Sequence, residues 1–276
     1  MNRIGIIQGR LSPPVNGRIQ VFPKATWAEE FSHAQAAGLR CLEWVYGLYG
    51  EPINPLASAD GQAQMKVLVK KHRVEVSSVC ADYFMDRPLL RVSEAARRVR
   101  VDRLRWLLRQ CGTVGINRVV LPFVDRSEIR TQQEVAIAVG SIRAVLPDAK
   151  RWKIELHLET SLSPQRFHEL LHKLDSPLVK VTYDIGNSAS LGYDSREEFA
   201  AYGERIGSVH VKDRLRNGPS VPLGEGAADF PTCFALLKAR GYRGDLILQV
   251  ARGSLGEEVT WARQNRDFVV SHWTEV

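Results

Sequence analysis

The chain has 276 residues, of which 44% are hydrophobic and 25% are charged. This composition is typical of globular proteins and excludes the collagen-like, disordered and disulfide-scaffold classes. No apolar run reaches the ~18 residues of a membrane span, and the apolar patch near the N-terminus is too short for a signal peptide. We therefore expect a cytoplasmic protein with no membrane partner.

The net charge of +7 raises the question of a nucleic-acid partner. The densest basic stretch runs from Arg91 to Arg109, where arginines are interspersed with apolar residues at helical spacing. We interpret this stretch as the solvated face of a long helix, so we expect no nucleic-acid partner. Binding of a small anionic substrate is a further use for such charge.

Short apolar runs alternate with longer helical patterns in eight successive units. The predicted strands are Arg3–Ile7, Arg40–Val45, Val74–Cys80, Asn117–Leu121, Lys153–Leu158, Val179–Tyr183, Ser208–Lys212 and Asp245–Val250. The predicted helices lie near residues 26–37, 59–72, 92–111, 131–146, 163–174, 194–204, 230–240 and 257–271. Eight such units without a linker predict an α/β fold, a single (β/α)8 TIM barrel over residues 1–276. A doubly wound sheet is the alternative, but no G-x-G-x-x-G follows the first strand.

The active site of such a barrel lies at the carboxyl ends of its strands. Two long segments rich in Gly and Pro are predicted at that end, residues 9–23 after the first strand and residues 214–228 after the seventh. Loops of this length in compact domains are often lids or binding loops. Loose surface structure is the alternative.

The late strands carry polar side chains on one face, although parallel barrel strands are normally apolar on both faces. The last inward residues of strands five to eight are Glu159, Asp184, His210 or Lys212, and Gln249. Because adjacent strands are ~4.8 Å apart, these side chains can converge. Two carboxylates, an imidazole and an amide oxygen predict a divalent metal site that suits Mn²⁺, Mg²⁺ or Co²⁺ better than structural Zn²⁺. Mutually satisfied buried polar groups are the alternative.

Other polar residues are expected around the same mouth. Gln8 and Arg10 follow the first strand and are candidates for substrate binding, Arg10 through a phosphate or carboxylate. Glu43 ends the second strand, where we expect it to face the substrate or to form a salt bridge at the rim. Glu155 and His157 lie deeper, either supporting the site from behind or forming a polar network in the core.

Three motifs occur in an order that resembles the xylose isomerase-like barrel superfamily, namely Tyr183-Asp184-Ile185-Gly186-Asn187, Val209-His210-Val211-Lys212-Asp213 and Pro222-Leu223-Gly224-Glu225-Gly226-Ala227-Ala228-Asp229-Phe230. Within it, the chain looks most like the sugar-phosphate isomerase and epimerase branch, which includes L-ribulose and L-xylulose 5-phosphate 3-epimerases. The resemblance implies a divalent metal held by Glu, Asp, His and Glu. The first three match Glu159, Asp184 and His210, whereas Gln249 replaces the fourth.

The resemblance implies an isomerase or epimerase that acts on an open-chain sugar or sugar phosphate. Glu159 is expected to take the proton beside the carbonyl, giving an enediolate that the metal stabilises. Gln249 cannot act as a base at neutral pH, so its presence weakens two-base epimerisation more than one-base isomerisation. Glu43 or Glu225 is expected to substitute for the missing acid.

Further binding residues are expected near these motifs. Asn187 of the first motif and His157 of the fifth strand are candidates for contact with the substrate. Lys212 and Arg252 are candidates for binding its phosphate or carboxylate. A salt bridge between strands, for instance with Asp213, is the alternative for these two cations.

Other functions remain open at this stage. Gln249 keeps open a non-catalytic sugar-binding protein or a lyase on the same barrel. An abasic-site endonuclease of the superfamily would suit the basic charge but needs many histidine ligands, and only His157 and His210 lie on predicted inner faces. Trp261 and Trp273 on the last helix would either cover the barrel or meet a partner, and self-association is left open.

Overall fold

Within residues 2–275, which the computed structural model describes, eight parallel strands close into a barrel. The strands in chain order are β1 (Ile4–Ile7), β2 (Cys41–Val45), β3 (Glu75–Cys80), β4 (Arg118–Phe123), β5 (Glu155–Thr160), β6 (Val179–Asp184), β7 (Ile206–Val211), β8 (Asp213–Arg214), β9 (Ser220–Val221) and β10 (Leu246–Leu248). β8 and β9 form a separate antiparallel pair. The other strands follow one another around the barrel, and β10 pairs with both β7 and β1. The predicted α/β class and barrel are confirmed.

Helices connect the strands. They are α1 (Glu29–Ala36), α2 (Ala59–His72), α3 (Tyr83–Asp86), α4 (Glu94–Val114), α5 (Gln132–Arg143), α6 (Leu146–Trp152), α7 (Pro164–Leu174), α8 (Ile185–Leu191), α9 (Ser195–Tyr202), α10 (Phe230–Ala239) and α11 (Glu258–Glu275). Short 3-10 helices lie at Glu51–Ile53, Pro55–Ala57, Asp125–Ser127 and Gly203–Arg205. The short helices α3, α6 and α8 were not predicted, because segments of four to seven residues carry too little periodic signal. α1 begins at Glu29, three residues later than predicted, and the Thr26 hydroxyl donates a hydrogen bond to Ser12 Oγ.

The basic stretch lies on α4 and is solvated, as its spacing predicts. The helix buries Leu104, Leu107, Leu108 and Cys111 against the barrel. Its arginines form ion pairs with nearby carboxylates, including those of Arg98 with Glu94, Arg103 with Glu51 and Arg105 with Asp102. Exposed ion pairs of this kind contribute ~1 kcal/mol or less to stability. The arginines therefore serve mainly to keep this face of the helix solvated.

Strand register determines which late residues meet. Asp184 and His210 are direct partners across β6 and β7. Glu159 lies at the end of β5, the neighbouring strand. The pairing of β6 with β7 skips Gly207 of β7 two residues before Asp184, and the pairing of β2 with β3 skips Ser77 of β3 directly before Glu43. Such irregularities re-aim side chains beside functional sites.

The cysteines and the tryptophans of the last helix pack in or against the hydrophobic core. All four cysteines are buried and free. Trp273 is buried edge-on to Phe234, with ring centroids 5.4 Å apart, and the Trp261 indole donates to the Ala251 carbonyl at 2.8 Å. Both tryptophans therefore cover the barrel. Among the described residues, no helix combines the length and apolarity needed to cross a membrane.

Candidate active site

Glu159, Asp184 and His210 converge at the carboxyl ends of β5, β6 and β7. One ligand atom of each lies within 4.8 Å of the others, and all three residues are buried. The Nδ1 atom of His210 is 3.6 Å from Glu159 Oε2 and 3.9 Å from Asp184 Oδ2. Carboxylate oxygens combined with one imidazole nitrogen are a ligand set that divalent cations accept.

The chemistry of His210 tests whether this cluster fits a metal. Its Nε2 lies 2.7 Å from the Glu43 carboxylate, whereas its Nδ1 is buried without a hydrogen-bond partner in the described structure. Such an orphaned atom is costly, because buried polar groups are normally paired. It faces the two carboxylates, so the residues present fit a divalent ion. A carboxylate behind a metal-ligating histidine is also the usual supporting contact in metal sites.

Glu43 thus neither faces the cavity nor forms a salt bridge at the rim, the two arrangements expected for it. Its side chain is fully buried, accepts a hydrogen bond from Ser78 Oγ at 2.7 Å and contacts His210 from behind. The His210 imidazole therefore separates it from the cluster. This contact fixes the orientation of the ring.

Electrostatics within the cluster are strongly coupled. Burial by itself would lower the pKa of His210, but the carboxylates of Glu43, Asp184 and Glu159 outweigh burial and hold it well above its usual value. Burial raises the pKa of Glu43, and the His210 contact more than reverses this, so that the pKa of Glu43 is lowered. The site therefore places three carboxylates around one imidazole, and their negative charges stabilise its protonated form.

Glu159 and Asp184 are held in different protonation environments. Burial raises the pKa of Glu159 to about 7, and repulsion from Asp184 adds to the effect. Burial also raises the pKa of Asp184, but Lys212 and His210 reverse this, and the pKa is lowered overall. Glu159 is therefore the carboxylate suited to exchange protons near neutrality, while Asp184 stays ionised.

Asn187 links the two carboxylates. Its side-chain amide donates to Glu159 Oε1 at 2.8 Å, and its backbone N–H donates to Asp184 Oδ1 at 2.8 Å. The side-chain oxygen Oδ1 of Asn187 accepts a hydrogen bond from the Arg214 guanidinium at 2.9 Å. Asn187 therefore positions the cluster as well as lining the cavity above it.

Lys212 and Gln249 lie beside the cluster and contact each other. Lys212 Nζ is 3.0 Å from Gln249 Oε1 and 3.4 Å from Asp184 Oδ2. The Gln249 amide N–H donates to Gln20 Oε1 at 3.2 Å. The oxygen expected to bind the metal thus accepts a hydrogen bond from Lys212 in this structure, and Gln249 lies outside the three-residue cluster.

Lys212 forms the alternative salt bridge with Asp184 of β6, at 3.4 Å, and not with Asp213. The buried Asp213 carboxylate instead accepts backbone N–H groups of Gly224 and Gly226, each at 2.9 Å, and of Ala228 at 3.1 Å. These donors belong to the third motif, whose glycines thus serve to fold the loop around Asp213. Glu225 of that motif is exposed and lies outside the cavity wall.

A cavity of about 660 Å³ opens above the cluster. Its wall includes the predicted residues Arg10, Glu159, Asn187, Lys212 and Gln249. It also includes Gln20, Cys80, Asp82 and Arg214, which sequence reasoning missed. Gln20 and Asp82 follow barrel strands, and Arg214 lies in the two-residue strand β8 outside the barrel, so hydrophobic alternation gave no signal for these three. The position of Asp82, two residues after a barrel strand, was a usable signal.

The two arginines expected to bind substrate are used mainly to hold the loop after β1. Arg252 donates to the carbonyls of Gly9 at 2.8 Å and Ser12 at 2.9 Å, and it does not line the cavity. The buried Arg10 guanidinium donates to the Val250 carbonyl at 2.8 Å and to the carbonyl of Ile19. Arg10 still borders the cavity.

Gln8 and His157 are buried away from the cavity. Gln8 Oε1 accepts a hydrogen bond from the Val45 N–H at 3.1 Å. His157 contacts Ser208 Oγ at 2.8 Å and Glu155 Oε2 at 3.0 Å within the barrel. His157 therefore belongs to a polar network in the core, one of the two expected arrangements.

The comparison with known families identifies the barrel. The family described as xylose isomerase-like TIM barrel matches residues 31–272. The chain belongs to this family. Among its curated relatives, the L-ribulose-5-phosphate 3-epimerase UlaE of Salmonella paratyphi C is 27% identical over 254 residues, covering 88% of both chains. The UlaE epimerase of Escherichia coli is 25% identical over 253 residues, again covering 88% of both.

Solved structures of this family share the fold. A structure titled L-ribulose 3-epimerase superposes with a TM-score of 0.79 at 16% identity, covering 100% of this chain and 95% of its own. The IOLI protein, whose title records a bound zinc atom, superposes with a TM-score of 0.78 at 15% identity, covering 98% of this chain and 99% of its own. At such low identity these likenesses establish the shared barrel.

Proposed function

We propose that this protein is a divalent-metal-dependent epimerase or isomerase of a sugar or sugar phosphate. The buried cluster of Glu159, Asp184 and His210 carries the proposal, because its member Glu159 lines a polar cavity. The curated relatives, which are named as sugar-phosphate epimerases, support the same class of substrate.

The reaction proposed is proton transfer at the carbon beside the substrate carbonyl. When bound to the three side chains, a divalent ion supplies Lewis-acid stabilisation of the negative charge that develops on substrate oxygen. Glu159 removes the proton, since it is the member of the cluster that lines the cavity. Asn187 orients that carboxylate through its 2.8 Å hydrogen bond. Glu43 holds the His210 ring, and Lys212 keeps Asp184 ionised.

The cavity suits a polyhydroxylated substrate. Its wall offers hydrogen-bond donors in Lys212 and Arg214 and acceptors in Asp82 and Ser161. The volume of about 660 Å³ is in the range of small-molecule sites. We take L-ribulose 5-phosphate as the first substrate to test and unphosphorylated L-ribulose as its matched comparison.

Gln249 supports a second candidate, a non-catalytic sugar-binding protein on the same barrel. Its side-chain oxygen accepts a hydrogen bond from Lys212, and its side-chain N–H donates one to Gln20. A protein of this kind would bind a ketose without exchanging its protons. The deuterium experiment below separates it from the enzyme.

Metal analysis tests the cluster. Protein purified without chelator is expected to hold one equivalent of a divalent ion, and Asp184→Ala or His210→Ala is expected to lose it. Asp86→Ala, which alters an exposed carboxylate at the end of α3, is the control and is expected to retain the ion. Failure of the wild-type protein to bind Mn²⁺, Mg²⁺, Co²⁺ or Zn²⁺ under any loading would overturn the proposal.

Solvent-deuterium incorporation tests the chemistry. L-Ribulose 5-phosphate and L-ribulose are incubated with the metal-loaded protein in D2O, and deuterium in the recovered sugars is measured by NMR. Entry of deuterium beside the carbonyl supports proton transfer. Binding of a sugar without any deuterium entry would favour the sugar-binding alternative instead.

A further inference from the structure

Epimerisation requires proton-transferring groups on both faces of the reacting carbon. Glu159 serves one face in the proposed function, but the residue after the last barrel strand is the amide Gln249. Besides Glu159, the carboxylates that line the described cavity are Asp82, Asp125 and Glu128. The second proton-transferring group is therefore expected among these three carboxylates.

Two of the three carboxylates are unsuitable. Asp125 is exposed to solvent. Glu128 forms an ion pair with Arg130, with Oε1 and Nε 2.7 Å apart, and its side chain is 37% exposed. A proton-transfer group works best where water is excluded and its orientation is fixed.

Asp82 is the one of the three whose orientation is fixed through both carboxylate oxygens. It lies two residues after the end of β3. Its Oδ2 accepts a hydrogen bond from Gln20 Nε2 at 2.8 Å, and its Oδ1 accepts the Cys80 thiol proton at 3.1 Å. Asp82 borders the cavity while remaining half-buried.

A short chain of hydrogen bonds joins Asp82 to the Gln249 position. The Gln20 amide donates to Asp82 through its nitrogen and accepts from Gln249 through its oxygen, the second bond being 3.2 Å long. One amide group therefore spans the gap between Asp82 and the end of the last strand. A carboxylate, that of Asp82, is therefore separated from the Gln249 side chain by a single bridging residue, Gln20.

We propose that Asp82 is the second proton-transfer residue of this site, opposite Glu159 and in place of an acid at position 249. This inference rests on the proposed function. Glu159 breaks the C–H bond beside the carbonyl and takes the proton, and protonated Asp82 forms the new C–H bond on the other face of the same carbon. The cycle leaves Glu159 protonated and Asp82 ionised, and exchange with solvent restores both. No oxidant or reductant is required.

The protonation of Asp82 supports this role. Burial raises the pKa of Asp82, an effect that its hydrogen bonds from Gln20 and Cys80 offset only in part. The Cys80 thiol stays protonated because burial, together with Asp82, raises its pKa well above its usual value. Asp82 is thus both oriented and able to carry a proton nearer to neutrality than an exposed aspartate.

Asp82→Asn tests the inference with L-ribulose 5-phosphate in D2O. We expect epimer formation to fall by about 100-fold or more, the usual contribution of general acid–base catalysis. Deuterium entry into the recovered substrate is expected to continue at a rate near that of the wild type, because Glu159 is intact. Metal content is also expected to be unchanged. Asp60→Asn, the same substitution at an exposed carboxylate of α2 outside the cavity wall, is the control and should leave every readout unchanged.

The outcomes distinguish this inference from the proposed function. Epimerisation by Asp82→Asn at the wild-type rate overturns the role of Asp82 alone, as does an equal loss of epimerisation and deuterium entry in a variant that keeps its metal. A wild-type protein that binds no metal and exchanges no deuterium overturns the proposed function as well. Melting temperature identifies a variant that has lost its fold, in which case Asp82→Ser takes the place of Asp82→Asn.

Discussion

The two halves of the barrel mouth provide chemistry in different ways. In the late half, formed by β5, β6 and β7, the functional groups are strand residues, and Glu159, Asp184 and His210 meet through strand register. In the early half, formed by β1, β2 and β3, the groups at the cavity come from the segments after the strands, as with Gln20 and Asp82. Groups on strands are rigidly placed by the sheet, whereas groups on loops depend on how each loop is fastened.

Each half fastens its long loop with one buried carboxylate. In the early half, Glu30 accepts the Gly9 N–H at 2.9 Å and the Ser12 hydroxyl at 2.8 Å. In the late half, Asp213 accepts N–H groups from the third motif, including that of Gly226 at 2.9 Å. The loops thus differ in position but share one device, since a buried carboxylate is stable only when its oxygens are bonded.

The largest expected effect concerns the late half. Glu159→Gln is expected to lower the rate of deuterium entry into L-ribulose 5-phosphate by about 10²- to 10⁴-fold, because an amide cannot take the proton. Glu155→Gln alters the same face of β5 at its other end, where the side chain is 41% exposed, and should change the rate little. Equal rates for Glu159→Gln and the wild type would place the base elsewhere.

The next effect measures how far the early half supports the late cluster. Glu43→Gln, in β2, is expected to weaken divalent-metal affinity by about 10- to 100-fold, because it disturbs the carboxylate that orients His210. Titration calorimetry with Mn²⁺ measures the change. Glu75→Gln, at an exposed carboxylate that pairs with Arg3, is the control. Unchanged affinity in Glu43→Gln would show that the ring is held by its packing alone.

A smaller effect concerns the late loop. A Cβ atom at Gly226 would lie 2.1 Å from Asp213 Oδ1 and 2.6 Å from the Arg214 carbonyl oxygen. Gly226→Ala is therefore expected to lower the free energy of unfolding by about 1–3 kcal/mol, measured by urea denaturation. Gly140→Ala, in the open middle of α5, is expected to raise it by up to ~1 kcal/mol. Destabilisation by both substitutions would argue against a specific role for the Asp213 loop.

The smallest effect concerns the early loop. It is a change in the slope of the free energy of unfolding against pH. Burial raises the pKa of Glu30 from the ordinary 4.5 to about 7. Between these values the folded protein keeps a proton that the unfolded chain has lost, so stability falls as the pH rises. Glu30→Gln should remove up to about 1.4 kcal/mol per pH unit of that slope between pH 5 and 7. Urea denaturation at three pH values measures it, with exposed Glu29→Gln as the control. An unaltered slope in Glu30→Gln would mean that the carboxyl titrates normally.

Sequence reasoning succeeded where structure is local. The barrel follows from eight strand–helix periods, and the cluster follows from polar residues that interrupt apolar alternation in three adjacent strands. It predicted that Glu43 faces the substrate or forms a salt bridge at the rim and that Arg252 binds the substrate, whereas the structure places Glu43 behind His210 and uses Arg252 to hold the loop after β1. These contacts join residues more than 160 positions apart, and a single sequence carries no local signal for them.

The sequence by itself determined the fold and the convergence of Glu159, Asp184 and His210, because strand period and neighbouring order are properties of short segments. Only the tertiary structure decided that Lys212 and Gln20 hold the Gln249 amide and that Asp82 stands beside them. The physical reason is that loop side chains take their positions from hydrogen bonds to distant partners. Those partners come within reach only when the barrel closes.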